Sequence, residues 1–560
     1  MMLTLARTWG GKPMLRAYRG GQWVSTSWSE FGRQAASVAR GLRAAGVNAG
    51  DRVVIVSENR PEYPLAETAL MAIRAVPVPA YVTNTVADHA HILRDSGARA
   101  AIVSSALLAG RLLEAGRQAG GLDLLVVIDG PPEGAGGRPR RLPFAELLAD
   151  ASAEPDDIAR EAAAIPTDAL ACLIYTSGTG GTPRGAMLAH RAILSNCAGA
   201  FEVLQQIGLR DDVYLSYLPT AHSFEHTVGL FFFPSCGVEV VYSRGVEHLA
   251  SDMAAIRPTL LTVVPRILDV IRARVMAQVE REARWRRLLF AQALYLGGKR
   301  IDRRSLNLAE RLVDPLLDVL VRAKVRARFG GRVRAVVSGG ARLEPETGRF
   351  FLALGLRVLQ GYGQTEAGPV ISVNPPFGIR LETVGKPLSG VQVRIAEDGE
   401  ILVKGDLVML GYWNRPEATA QAIEHGWLHT GDIGTLDAQG YLTITDRKKD
   451  IIVLSGGEKV APAKIEAMLM AEQEIAQAVV TGDGRTGLTA LIVPADGYDD
   501  MAIAVALSRV NLRLSVHERI RKHLLVPAFT IENGLLTASH KIRRAMAVHA
   551  NAAALRRLYA

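Results

Sequence analysis

Eleven consecutive residues, Tyr175-Thr176-Ser177-Gly178-Thr179-Gly180-Gly181-Thr182-Pro183-Arg184-Gly185, hold four glycines, four aliphatic hydroxyls and one cation. They follow directly on the apolar run 170–174. A buried strand that empties into such a loop presents backbone N–H groups and hydroxyls to phosphate oxygens. Glycine lets the backbone come close and take positive φ, and Arg184 supplies charge. No Gly-Lys-Ser/Thr closes the stretch, so it is not a Walker A loop, and it contains no Gly-x-Gly-x-x-Gly. Taken alone it is also compatible with an ordinary flexible loop.

The elements that must position this loop show in the hydrophobic pattern. An amphipathic helix is expected over 31–42, a buried strand over 52–56, a helix over 63–75, an edge-like extended piece over 76–79 and a strand over 100–103. Such alternation predicts a parallel or mixed sheet with helices on its faces. Residues 129–140, rich in Pro, Gly and Arg, read as a surface loop. Two later apolar runs lead into the Gly-rich turns Ser338-Gly339-Gly340-Ala341 and Gln360-Gly361-Tyr362-Gly363. After 383 the texture changes to short strands and turns. The charge run Asp446-Arg447-Lys448-Lys449-Asp450 then separates this part from a stretch with helices expected over 463–470 and 516–525. The expected fold is α/β: a large N-terminal domain, 1–446, of mixed and parallel sheets flanked by helices plus a β-rich subdomain, and a small α+β C-terminal domain, 447–560.

A chain of 560 residues is too long for one compact core. Its net charge of +9 is not evenly spread: residues 272–332 hold 16 Lys/Arg against 6 Asp/Glu. Ile271, Val275, Val279, Leu288, Leu289 and Leu296 interleave with those cations, as in an amphipathic helix. Trp285 among Arg284, Arg286 and Arg287 suits an anionic membrane surface, with a solvated helix face as the alternative. No stacking platform or nucleic-acid motif accompanies the basic stretch, so nucleic acid is not expected as a partner. Cys172, Cys197 and Cys236 lack paired metal spacing and read as buried thiols of a reducing compartment. No signal peptide is read at the N-terminus, and the apolar run 228–233 is too short to span a bilayer. A cytoplasmic protein with membrane contact is the expectation; oligomeric state is not legible.

Beyond the Gly-rich loop come, in order, Leu218-Pro219-Thr220-Ala221-His222, Tyr362-Gly363-Gln364-Thr365-Glu366, Gly426-Trp427-Leu428-His429-Thr430-Gly431-Asp432, Asp446-Arg447-Lys448-Lys449, Ser455-Gly456-Gly457-Glu458-Lys459 and Thr537-Ala538-Ser539-His540-Lys541. On these motifs the chain resembles the adenylate-forming acyl-CoA synthetases, most of all the long-chain fatty acid CoA ligases, from about residue 27 onward. The resemblance implies that Thr176, Ser177, Gly178, Thr179, Gly180, Gly181, Thr182 and Arg184 hold ATP phosphates. Gly180 stands where the family has a second threonine, and Arg184 where it has lysine, which changes the geometry of the charge. It further implies a nucleotide pocket of Gly339, Gly340, Ala341, Gly361, Tyr362 and Gly363, with Thr365 on the α-phosphate and Glu366 on Mg²⁺. Asp432 and Arg447 would bind ribose, His222 would lie beside the carboxylate, Lys449 would be the hinge, and Lys541 the catalytic lysine. Ala538 replaces the family's proline.

The implied reaction is two-step acyl activation: a fatty carboxylate and ATP give acyl-adenylate and pyrophosphate, then coenzyme A displaces AMP. The cofactors are ATP, Mg²⁺ and coenzyme A. Rivals are a fatty acyl-AMP ligase that loads a carrier protein, a ligase for a shorter or aromatic acid, and a non-catalytic lipid-binding accessory. His222-Ser223-Phe224-Glu225-His226 also spells H-x-x-E-H, a zinc pattern that needs these residues on one helix.

Overall fold

The computed structural model describes residues 1–130, 138–149, 155–176, 182–537 and 541–559. Most of the loop expected over 129–140 therefore lies outside the described residues.

The strand Arg52–Val56 shows how the alternation becomes a core. Val54 and Val56 enter one hydrophobic cluster, Val53 and Ile55 another, because successive side chains of a strand point to opposite faces. Its sheet runs Val76–Ala80, Arg52–Val56, Ala100–Val103, Leu124–Val127, Arg140–Pro143, parallel throughout. Helices cover both faces, Glu62–Ala72 on one and Val86–Ser96 with Ala106–Gln118 on the other, as a parallel sheet requires. Val76–Ala80 is an edge strand, the place where Pro77 and Pro79 break no ladder.

A second, nine-stranded sheet has a parallel centre of Glu239–Tyr242, Val213–Ser216, Leu260–Val263, Ala335–Ser338 and Val358–Gly363. Pro13–Arg19 extends it in parallel, and antiparallel strands finish both edges. Three further strands, Leu170–Thr176, Arg184–Ala189 and Gly411–Tyr412, form an antiparallel sheet. A five-stranded antiparallel sheet built around Trp427–Leu436 carries the β-rich part.

The basic segment is helical: Pro265–Glu280, Arg284–Ile301 and Leu308–Leu317, continued by a wide turn Asp318–Arg322 into Ala323–Ala327. Leu268, Phe290, Leu296, Leu317 and Phe329 seat it against Phe350 and Phe351.

In the C-terminal stretch, Ile475–Thr481, Leu488–Pro494 and Ile520–Leu525 make one sheet, flanked by Pro462–Met470 and Asp500–Asn511. The helix expected over 516–525 is not there. Ser515 and Glu518 do form a capping box, but only Val516–Glu518 coil; Ile520–Leu525 pairs in parallel with Leu488–Pro494. Ladder hydrogen bonds and burial of Ile520 outweigh the local helix signal. Among the described residues, buried clusters are built either from residues up to 442 or from 452 onward, never from both. No described helix is long and apolar enough to cross a membrane.

Candidate active site

The carboxyl ends of Ala335–Ser338 and Val358–Gly363 open into one cleft of about 3000 Å³, where open α/β sheets bind ligands. Gly339, Gly340, Ala341, Gly361, Tyr362 and Gly363 line it. A Cβ on Gly363 would meet the Pro369 carbonyl oxygen at 1.8 Å, so no side chain fits there. Gly340 turns at φ +80°, which favours glycine.

Strand pairing sets the stems of the Gly-rich loop, with Thr176 opposite Arg184. Thr176, Thr182 and Arg184 line the cleft; Ser177, Gly178, Thr179, Gly180 and Gly181 lie outside the described residues. Helix Val86–Ser96 grips both stems. Tyr175 Oη donates to Asp95 Oδ2 at 2.8 Å, and His91 Nε2 donates to the Pro183 carbonyl at 2.8 Å.

Glu366 sits in the short turn Thr365–Ala367, where Tyr412 Oη donates to its Oε1 at 2.8 Å. Its Oε2 accepts no hydrogen bond from the described residues and the side chain lines the cleft. Mg²⁺ typically takes one or two carboxylates together with phosphate oxygens and water, so this hard oxygen fits that ion. Burial and the Glu366 charge push the Tyr412 phenol upward, which keeps it a donor. The Arg184 guanidinium lies 5.5 Å from the Tyr412 ring centroid. Tyr412 thus links the Glu366 carboxylate to the loop cation. Thr365 Oγ1 donates to Ser223 Oγ at 2.9 Å.

Asp432 and Arg447 face each other across paired strands, Nε to Oδ1 at 3.3 Å. Tyr362 Oη donates to Asp432 Oδ2 at 2.6 Å. Each carboxylate oxygen keeps a lone pair, so both ribose hydroxyls can still be received. Burial raises the Asp432 carboxyl, and Arg447 opposes that rise.

His222 caps the turn Ser223–Thr227, and its Nδ1 accepts from the Phe224 N–H at 3.2 Å. The ring proton therefore sits on Nε2. Burial, with Lys541 adding to it, lowers the imidazole to about 4, so it is neutral at physiological pH. Lys541 lines the same cleft. Burial lowers its ammonium, Arg447 acts in the same sense and Asp432 opposes both. Its backbone is closed onto Thr537, N–H to Oγ1 at 3.0 Å and carbonyl to the Thr537 N–H at 2.8 Å. Lys449 is exposed in the turn that follows Leu442–Arg447.

The zinc spelling does not assemble. His226 Nε2 pairs with Glu67 Oε1 at 2.5 Å, while Glu225 accepts from Tyr214 at 2.5 Å, Ser216 at 2.6 Å and Thr262 at 3.2 Å. The two groups serve separate buried partners, and His222 Nδ1 caps a helix. Sequence reasoning missed Tyr412 and Ser223. The aromatic pair Tyr412-Trp413 before Pro416 is the signal that was available for the first.

The family model "AMP-binding enzyme" matches residues 5–413, and "AMP-binding enzyme C-terminal domain" matches 449–560. The chain belongs to the AMP-binding enzymes. Within the family it is 33% identical to "Long-chain-fatty-acid--CoA ligase FadD15" of Mycobacterium bovis, over 96% of this chain and 93% of that protein. It is 31% identical to "Long-chain-fatty-acid--CoA ligase 5" of Mus musculus, over 88% and 78%. Its fold is shared with the A domain of a carboxylic acid reductase from Segniliparus rugosus solved with AMP and a carboxylic acid, at TM-score 0.76 and 22% identity over 100% and 93%. It is shared too with O-succinylbenzoate coenzyme A synthetase of Bacillus subtilis solved with ATP and magnesium, at 0.71 and 22% over 97% and 98%. As an AMP-binding enzyme the protein is an ATP-dependent acid–CoA ligase, which is what the ordered motifs implied.

Proposed function

We propose that this AMP-binding enzyme activates long-chain fatty acids, with the residues of the cleft in the roles that follow. The observation that carries the reading is the convergence of His222, Lys541, Asp432 and Glu366 on one cleft, although they lie far apart in sequence. Similarity to long-chain ligases along most of the chain supports the substrate class. So does an apolar continuation of the cleft lined by Ala200, Val203, Leu204, Val228 and Phe232.

In the first step a carboxylate oxygen attacks the α-phosphorus, and the bond to pyrophosphate breaks. Lys541 neutralises charge where carboxylate and α-phosphate meet, in a buried place where its charge counts for most. His222 donates Nε2–H to the carboxylate and stays neutral, so it does not compete with Lys541 as a cation. Asp432 and Arg447 orient the ribose, and Thr176, Thr182 and Arg184 receive the distal phosphates. Glu366 would hold Mg²⁺, which would supply positive charge beside the phosphates. In the second step the coenzyme A sulfur attacks the acyl carbon, the C–O bond to AMP breaks and the thiol proton is released. No enzyme nucleophile takes part; positioning and charge stabilisation carry both steps.

Domains 1–446 and 447–560 turn about Lys449 between the steps, a hinge closure consistent with hydrophobic cores that stay on either side of it. The basic 272–332 segment brings the enzyme to the membrane in which such acids dissolve.

Lys541→Ala tests the central role. Adenylate formation falls by about a thousandfold or more, while thioester synthesis from preformed acyl-adenylate and coenzyme A proceeds. Equal loss of both half-reactions would remove Lys541 from this role.

A further inference from the structure

Helix Leu308–Leu317 and the turn that prolongs it carry Leu308, Leu312, Leu316 and Val319 at 80%, 81%, 55% and 68% exposure. Positions i, i+4, i+8 and i+11 lie on one helical face. The opposite face is already occupied: Asp314, Leu317 and Val321 are buried. Core packing therefore does not explain the stripe. Single exposed apolar residues are ordinary, but a continuous row marks an interaction surface. The neighbouring helix Arg284–Ile301, tied to this one by Lys299–Glu310 at 2.5 Å, exposes Trp285, Leu288 and Tyr295 as well.

Charge says what covers the stripe. Of the six acidic residues in 272–332, five are engaged within the fold: Glu282 with Arg286, Asp302 with Arg349, Glu310 with Lys299, Asp314 with Arg300 and Arg322, and Asp318 with Arg326. Arg281, Arg284, Arg287, Arg303 and Arg304 are exposed and make no ion pair among the described residues. An exposed row of leucines on a segment that also carries unneutralised arginines, Arg303 and Arg304 just before it, matches the boundary of an anionic bilayer: apolar side chains below the phosphates, guanidinium groups level with them. A second copy of this chain fits poorly, since two such faces would bring like charges together.

We propose that the 308–319 face is a docking surface for an anionic lipid bilayer. The segment begins at the active cleft, because Asp269, Ala273 and Met276 of helix Pro265–Glu280 line it. Docking therefore places the cleft wall next to the phase that dissolves fatty acids. The inference deepens the membrane contact proposed for the 272–332 segment, and in its link to the cleft it rests on the proposed substrate class.

The test is flotation of the full chain with phosphatidylcholine vesicles, with and without phosphatidylglycerol. Binding requires the anionic lipid and weakens as salt rises. The variant Leu308→Asp/Leu312→Asp/Leu316→Asp binds at least about tenfold less, and Arg284→Glu/Arg287→Glu does likewise, while both retain turnover of a short, water-soluble acid. Equal binding to neutral vesicles, or undiminished binding by the leucine variant, overturns the proposal. So does a concentration-dependent dimer that the leucine variant abolishes without any vesicle binding. Vesicle binding by a chain that turns over no acid would instead overturn the ligase reading and leave the docking surface standing.

Discussion

The two halves of the cleft are organised by opposite means. On the nucleotide side, charged groups hold one another: Arg447 and Tyr362 on Asp432, Tyr412 on Glu366, and Arg184 against Tyr412. On the acyl side the ionisable groups are tuned by burial. His222 is driven neutral, Lys541 is destabilised as a cation, and Glu225, on the turn that His222 caps, is raised to about 7. On the proposed reading, the difference teaches that the nucleotide half is preorganised by hydrogen bonds to receive a polyanion. On the same reading the acyl half is kept poor in charge, so that burial sets the state of His222 and Lys541 more than any neighbour does.

Breaking that contrast has graded consequences. Asp432→Ala removes the acceptor of two charged or phenolic donors and both ribose bonds, so kcat/KM for ATP falls about a hundredfold; an unchanged value in a steady-state assay would detach Asp432 from the nucleotide. His222→Ala costs about a hundredfold or somewhat less in adenylation. Because the wild-type imidazole titrates near 4, the pH–rate profile should show no His222 step around 6.5; a histidine NMR titration places the value directly. Tyr412→Phe loses one bond to Glu366 and leaves the ring over Arg184. It raises the Mg²⁺ concentration needed for half-maximal rate by about tenfold or less with KM for the fatty acid unchanged.

The smallest effect sharpens the acyl side. Glu225 is raised by burial, against opposing bonds from Ser216, Tyr214 and Thr262. A raised acid means that the folded state binds more protons than the unfolded state between 4.5 and about 7. Stability is thus full below the unfolded value and declines as pH climbs through the folded one, by about 3 kcal/mol at most. In Glu225→Gln this decline disappears, and thermal melting recorded across that pH range reads the difference. A Cβ at Gly229 would come within 2.2 Å of Glu225 Oε1, so Gly229→Ala tests the same packed carboxylate by crowding it.

The buried strands were legible because periodicity is local. Val53 to Val56 alternate between two cores, and the helix over 31–42 was found inside the observed Trp28–Ala44. The candidate site residues were named because their ordered motifs resemble those of a known family, and the cleft brings Glu366, Asp432, His222 and Lys541 together. The stretch 516–525 was misread because its apolar spacing and capping box favour a helix, while the partner strand that draws Ile520–Leu525 into a sheet, Leu488–Pro494, lies far earlier in the chain. Tyr412 was missed for a like reason: it reaches Glu366 across 46 residues, and the pair Tyr412-Trp413 marks an aromatic site without naming its partner.

By itself, then, the sequence determined the class of fold and the order of the motifs whose resemblance implied the family and the groups proposed to meet ATP. Only the tertiary structure decided that His222 gives its Nδ1 to a helix cap and so keeps its proton on Nε2. It also decided that Glu225 and His226 serve the core instead of a metal, and that the basic segment turns a row of leucines outward. The physical reason is one and the same: residue type and spacing fix what a group is able to bond, whereas protonation, burial and exposure depend on neighbours supplied by distant parts of the chain.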